Sequence, residues 1–472
     1  MGKTLKNYQI ILHGKNPVDV EIVSGEDFTT LYKIFFPRIS KVTNILLNSI
    51  KEDLLRILRI GSSEIFDMKS IENMKKELQE NADKLIEKRM PHIDQETKNV
   101  LVSHLVDDMT GLGPIEVLIN DPDLEEVVIN TSKEHVWVYH KTIGWLKTNI
   151  TITSEKQIQN YSSIIARRIG RQITTLEPML DAHLITGDRA NATLFPISTK
   201  GNTLTIRKFS RRPWTVTDFI ANETLNPEVA AFLWLCMQYE MNMIVAGGTS
   251  SGKTALLNTL MPFIQPNQRI ISIEDTRELQ LPKFLHWVPL TTRLPNPEGK
   301  GGVSMLNLMI NSLRMRPDRI VVGEIRRSEQ AEVLFESMHT GHSVYATLHA
   351  ETAEQVIRRM TNPPINIPHA MMEALHIILV QHRDRRRSIR KTYQVAEVLP
   401  LGERADESGV KVNVLYRLKP NGEIAAHDQP IRIFEELGMH TGLTKQELLD
   451  DIQEKYNILV WMYKNKINDI ER

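Results

Sequence analysis

The run Ile244-Val245-Ala246-Gly247-Gly248-Thr249-Ser250-Ser251-Gly252-Lys253-Thr254 fits the pattern G-x-x-x-x-G-K-[ST]. Glycines in such a run let the backbone turn tightly, so that successive N–H groups and the following helix N-terminus point at an anion. The chemistry implied is nucleotide binding, with Gly247, Gly248, Thr249, Ser250, Ser251, Gly252, Lys253 and Thr254 as the binding residues. Lys253 would set a positive charge on the β- and γ-phosphates of ATP, and the Thr254 hydroxyl would hold Mg²⁺. The pattern carries this meaning only between a strand and a helix. The apolar stretch Met241–Ala246 and the helix-forming stretch Thr254–Met261 supply both, which argues against a merely structural Gly-rich turn.

Phosphoryl transfer also needs a metal holder and a group that orients the attacking water, usually acids at strand ends. Arg269-Ile270-Ile271-Ser272-Ile273-Glu274-Asp275 delivers a carboxylate pair after an apolar run, and Arg319-Ile320-Val321-Val322-Gly323-Glu324 delivers one glutamate. Gly323 stands where a metal-binding Asp often ends the strand. Glu324 would then serve Mg²⁺ alone, through a water, and Glu274 competes with it for the role of base. Further on, His342 and His349 bracket the short apolar run Ser343–Thr347. Seven extended residues span over ~20 Å, so the two histidines cannot ligate one metal. The ordinary role for each is structural; with Thr340 and Thr347 nearby, sensing the γ-phosphate is the functional alternative. Arg383, Arg385, Arg386, Arg387, Arg390 and Lys391 form the densest basic cluster. Only Tyr393 is near it, so a charged hairpin tip or a subunit-contact surface fits better than a nucleic-acid groove.

Elements to position these groups are legible in outline. The 472 residues suggest about three domains, and 41% hydrophobic content suffices for a core in each. Lys plus Arg (58) equals Asp plus Glu (58), so no overall field draws the chain to nucleic acid or an anionic membrane. Cys236, the one cysteine, lies among apolar residues and reads as core. No apolar run approaches the ~20 residues of a membrane span. The start carries no signal-peptide core, so a cytoplasmic location is expected. Residues 1–95 are expected to be a helical region, on their Lys, Glu, Ile and Leu content and the spacing of Leu47, Ile50, Leu54, Ile57 and Leu58. Residues 96–209 turn to β-type patterning, for example Glu126–Ile129 and Val136–Tyr139. A linker is expected over 210–224, around Arg212-Pro213-Trp214. Over 225–472, strand-like runs alternate with helix-like ones, implying an α/β domain with a parallel sheet. A capping box at Thr352–Gln355 starts one helix, and the tail Thr444–Met462 is another.

Taken together, the phosphate loop, Ser272-Ile273-Glu274-Asp275-Thr276-Arg277-Glu278-Leu279, Arg316-Pro317-Asp318-Arg319 through Glu324-Ile325-Arg326, and Thr340-Gly341-His342 through Thr347-Leu348-His349 resemble the type II/type IV secretion ATPase superfamily in order and spacing. They look like its Walker A, Asp box, Walker B and His box. Upstream, Pro178–Leu184, Gly187-Asp188-Arg189 and Thr205-Ile206-Arg207-Lys208-Phe209 resemble its N-terminal domain. The likeness covers about Leu105 to Met462. It implies a RecA-like ATPase domain preceded by a smaller mixed α/β domain. It implies a homo-hexameric ring using ATP and Mg²⁺, peripheral to the inner face of the cell membrane, with a polytopic membrane platform protein as partner. Arg189 and Arg207 become candidate arginine fingers, and His342 and His349 candidate sensors. The wording of Ile273–Leu279 and Arg212–Asp218 is similar to the archaeal branch, which includes the archaellum motor and pilus-assembly ATPases. A single cysteine leaves no tetracysteine zinc motif, in keeping with that branch.

The expected function is therefore ATP hydrolysis that assembles or rotates a pilus-like filament or drives type II-like secretion. A RecA-like ring translocating nucleic acid is the alternative, against which the neutral charge and the lack of an aromatic–basic groove both count. A nucleotide-binding scaffold would require Glu274 and Glu324 to be dispensable. A GTPase is disfavoured, because Asn465-Lys466-Ile467-Asn468 lacks the Asp of a guanine-reading N-K-x-D.

Overall fold

The computed structural model describes residues 4–12, 16–25, 29–35, 41–57, 68–184, 187–209, 212–295, 299–384, 386–387, 389–401 and 409–471. Its contacts divide into two units, Met1–Arg211 and Arg212–Arg472.

The first unit opens on strands rather than helices, which corrects the expectation of a helical region over 1–95. They are β1 (Thr4–Leu12), β2 (Asn16–Ser24) and β3 (Thr30–Phe35). Val18, Val20 and Ile22 point into the core between outward Asp19 and Glu21, a two-residue period that only a strand satisfies. Helices follow: α1 (Lys41–Ile57), α2 (Met68–Arg89) and α3 (Gln95–Thr110). Leu47, Ile50 and Leu54 pack with Leu78, Ile86, Leu101 and Leu105 in a core of their own, as the three-four spacing requires. Leu58 lies outside the described residues.

After α4 (Ile115–Asn120) come β4 (Leu124–Ile129), β5 (His135–His140), β6 (Gly144–Thr151), α5 (Glu155–Arg168), β7 (Met179–His183), β8 (Arg189–Thr193) and β9 (Thr203–Arg207). All nine strands join one sheet in the order β1-β2-β3-β6-β5-β4-β9-β8-β7. The N-terminal strands are fastened to the rest by a buried carboxylate. The phenols of Tyr8 and Tyr32 both donate to Asp121 Oδ2, at 2.6 and 2.5 Å. Burial, with the Asp121 charge second, raises the pKa of each phenol.

The second unit runs α6 (Val216–Ala221), α7 (Pro227–Gln238), β10 (Met243–Gly247), α8 (Lys253–Leu260), β11 (Arg269–Glu274), β12 (His286–Thr291), α9 (Met305–Ser312), β13 (Arg319–Val322), α10 (Ser328–His339), β14 (Ser343–Leu348) and α11 (Ala353–Thr361). It continues through β15 (Ile377–Asp384), β16 (Ile389–Leu401), β17 (Gly409–Leu418), β18 (Ile424–Ala426), α12 (Arg432–Thr441) and α13 (Lys445–Lys464). Its sheet order is β12-β11-β13-β14-β10-β15-β16-β17-β18. Strands β12 to β15 in that order are parallel, and the last three add antiparallel. Every residue of β10, β13 and β14 is buried, because both faces are covered. Met243 and Val245 face one core, with α7, α8 and α13; Ile244 and Ala246 face the other, with α9, α10 and α11.

Where a linker is expected over 210–224, Thr215 and Asp218 form a capping box that starts α6, and the described part from Arg212 onward belongs to the second unit. At α11 the Thr352 hydroxyl accepts from Gln355 N, but Gln355 Oε1 accepts from Glu351 N, so the box is half formed. Cys236 is fully buried in α7.

Candidate functional site

Strand β10 ends on Gly247, and the chain turns through Ser250 (φ 58°) and Gly252 (φ 95°) into α8. Gly247 has no room for a side chain. A Cβ there would lie 2.4 Å from Ser251 Oγ and 2.5 Å from the Gln381 carbonyl oxygen on β15, and its φ of 153° already disfavours one. Strand, loop and helix thus follow one another as anion binding at a helix N-terminus requires.

Lys253, the first residue of α8, is 8% exposed. Its Nζ donates to the carbonyls of Gly247 (3.1 Å) and Gly248 (3.0 Å) and lies 3.3 Å from His349 Nδ1. Burial lowers its pKa, while Glu324 and Glu278 oppose the shift. His349, just past β14, places Nε2 2.8 Å from Glu324 Oε1. Burial and then the Lys253 charge lower the His349 pKa, favouring neutral imidazole. In the tautomer that this network assigns, Nδ1 accepts from Lys253 and Nε2–H donates to Glu324. A continuous hydrogen-bonded line therefore joins the loop to the ends of β14 and β13. The other Glu324 oxygen receives Arg326 Nε at 2.7 Å, and Arg326 Nη1 reaches Asp275 Oδ2 at 2.7 Å.

Glu274, at the end of β11, is 2% exposed. Its Oε1 accepts from the backbone N–H of Glu278 (2.9 Å) and Leu279 (3.1 Å), while Oε2 is buried with no hydrogen-bond partner. Burial raises its pKa to about 7, against the lowering effect of the two N–H donors. Gly323 is explained by this neighbour: a Cβ at 323 would sit 3.3 Å from Glu274 Cγ and 3.4 Å from its Cα. An Asp there would press on Glu274, which would have to give by a few tenths of an ångström.

Orphaned buried oxygens make the donor set compatible with a hard cation. Glu274 Oε2 and Ser251 Oγ both lack partners, and Thr254 stands in the first turn of α8. Glu324, singled out for the metal from sequence, has both oxygens engaged, by His349 and Arg326.

The remaining expected residues separate. His342 precedes β14 and His349 follows it, so the parallel sheet puts them at opposite edges. His342 Nδ1 instead lies 3.2 Å from Thr340 Oγ1 and 3.3 Å from the Ser337 carbonyl, at the C-terminal end of α10. Of the two histidines, His349 alone contacts the phosphate-loop lysine and the Glu324 carboxylate. Arg189 and Arg207 lie in the first unit, directly opposite each other in the β8–β9 ladder, and Arg207 Nε is 4.0 Å from Glu126 Oε1. One contact was not foreseen. Arg390, read from sequence as part of a surface cluster, donates from Nε to the Ser250 carbonyl at 3.1 Å. Arg385 of that cluster lies outside the described residues.

A parallel sheet carrying a phosphate-type loop after β10 and acids at the ends of β11 and β13 defines a RecA-like ATPase domain, here preceded by a mixed α/β domain. Residues 108–408, more than half of the chain, match the family model for Type II/IV secretion system proteins, and the chain belongs to that family. An uncharacterised protein of Methanocaldococcus jannaschii is 34% identical over 79% of this chain and 71% of its own length. The type IV secretion system protein PtlH of Bordetella pertussis is 30% identical over 53% of this chain and 79% of its own. The VirB11 ATPase of the Brucella suis type IV secretion system, solved with sulphate, is 25% identical, covering 60% of this chain and 91% of that one at a TM-score of 0.31. Among the described residues, no helix is long and apolar enough to cross a membrane.

Proposed function

We propose that the protein hydrolyses ATP with Mg²⁺ as a homo-hexameric ring at the inner face of the cell membrane. Its cycle would drive a polytopic platform protein that assembles or turns a type IV pilus-like filament, or powers type II-like secretion. The observation that carries this reading is the line from Lys253 through His349 to Glu324. It couples the loop residue that would hold phosphate to a carboxylate two strands away from β10, so loading the loop and rearranging the acids become one event. When nucleotide arrives, Lys253 exchanges the Gly247 and Gly248 carbonyls for the β- and γ-phosphates, and His349 loses one partner. Thr254 and a carboxylate, through water, would hold Mg²⁺, which supplies neutralisation of charge on the phosphate oxygens. Glu274, with one bare oxygen and a pKa of about 7, has the properties of the base that takes a proton from water. Arg189 and Arg207, cross-strand partners in the first unit, would be the arginine fingers, the role that the resemblance of their strands to the family implies.

The test is the ATPase rate against protein concentration, for wild type, Lys253→Ala and Arg207→Ala. The expected result is a per-subunit rate that rises cooperatively and is lost in both variants. A rate independent of concentration and indifferent to Arg207→Ala would refute the ring.

A further inference from the structure

The hairpin formed by β15 and β16 overhangs the phosphate loop. Strand β15 pairs with β10 only as far as Gly247↔Gln381, and β15 then runs three residues further, through His382, Arg383 and Asp384. Alternation along the strands sorts this overhang into two faces. Gln381, Arg383, Arg390 and Thr392 share one face, since Gln381↔Thr392 and Arg383↔Arg390 are cross-strand partners. This face looks onto the loop: the Gln381 side chain lies 3.2 Å from a Cβ placed on Gly247, and Arg390 Cδ lies 3.6 Å from one on Gly252. His382, Lys391 and Tyr393 belong to the opposite face, where the His382 and Tyr393 rings approach to 6.1 Å.

Arg383 and Arg390, directly opposed in the antiparallel ladder, bring two cationic side chains to this face. Here they do so above a loop whose backbone donors are disposed for an anion. Arg390 spends only Nε on the Ser250 carbonyl, and among the described residues no further hydrogen bond of its guanidinium is recorded. Its other nitrogens, in the planar fork suited to phosphate, remain available. Ser250, the residue it holds, sits at φ 58°, a left-handed conformation that a non-glycine residue keeps only when its surroundings impose it.

We propose that Arg390, backed by Arg383, is a cation that the ATPase domain's own hairpin lends to the nucleotide: it fixes the phosphate loop through Ser250 and reads the phosphate charge from the same chain. This rests on the nucleotide-binding reading of the loop. It differs from an arginine finger in needing neither the first unit nor a second subunit.

The experiment is binding of Mg-ATP and Mg-ADP to the full chain over a range of salt concentrations, with wild type, Arg390→Gln, Arg390→Lys, Arg386→Gln and Lys253→Ala. Glutamine can still donate to the Ser250 carbonyl but carries no charge, so it separates loop support from charge. Arg390→Gln should raise the Kd about tenfold and flatten its salt dependence, with Arg390→Lys keeping most of the affinity. Arg386→Gln, an exposed arginine on the same turn, should bind as wild type, and all variants should melt within a few degrees of it. An Arg390→Gln protein with unchanged Kd and salt slope overturns the proposal, as does an equal loss in Arg386→Gln, which would indicate only a general field. Failure of wild type to bind nucleotide, or indifference to Lys253→Ala, would instead strike the nucleotide reading itself.

Discussion

Glu274→Gln should make the protein less active and, above neutral pH, more stable. The carboxyl is 2% exposed, and burial lifts its pKa from 4.5 to about 7. Because the folded state holds this proton more tightly than the unfolded chain, folding binds protons between pH 4.5 and 7. Stability from this group therefore falls as pH rises through that window, and the full cost is present above pH 7. A shift of 2.5 units (7 minus 4.5) corresponds to roughly 3 kcal/mol at full ionisation. Glutamine keeps the shape and an oxygen that can accept from the N–H groups of Glu278 and Leu279, but it cannot ionise. The stability gap should thus widen in favour of the variant by roughly 2 to 3 kcal/mol between pH 5 and pH 8.5. Urea unfolding at the two pH values, read through amide protection of Ile271 and Ile273, measures the gap in the strand where it arises. The ATPase rate should drop by about 10² or more, as for loss of a general base. A gap that stays the same at both pH values would show that Glu274 is not held neutral by burial, and the assignment of the base would go with it.

Other changes test the geometry more briefly. His349→Asn should cut the ATPase rate at least about tenfold, whereas His342→Asn should stay within about twofold, since only His349 touches Lys253 and Glu324. Equal losses in the two would contradict the placement. Gly247→Ala should cost about 2 kcal/mol or more in unfolding free energy and abolish nucleotide binding, because its Cβ meets not only the Ser251 hydroxyl but also the backbone oxygen of Gln381, which cannot swing aside. Asp121→Ala strips two buried phenols of their acceptor and should destabilise the first unit by about 2 to 4 kcal/mol, with Mg-ATP affinity changed less than about twofold. Denaturation and equilibrium binding on the same preparations check both.

Much of this was legible in the chain. The α/β alternation after residue 225 is carried by long apolar runs, and β10, β11, β13 and β14 lie within a residue or two of where those runs place them. The N-terminal strands were missed although Val18-Asp19-Val20-Glu21-Ile22 alternates cleanly, because the Lys, Glu, Ile and Leu content of the whole region outweighed a local two-residue period. Separation of His342 from His349 was implicit in the distance that already barred a shared metal. The Arg390 contact had no local signal. It depends on β15 lying beside β10, a pairing across more than a hundred residues that composition near Arg390 does not encode.

The packing of Gly323 against Glu274 bears on how this site can change. A side chain at 323 would press on residue 274, which would have to give by a few tenths of an ångström. The two positions are therefore coupled: the effect of Gly323→Asp, which adds an acid and removes none, is set by how far the Glu274 side chain can give. A lineage or an engineer adding a carboxylate at the end of β13 would therefore find its effect dependent on which side chain stands at the end of β11.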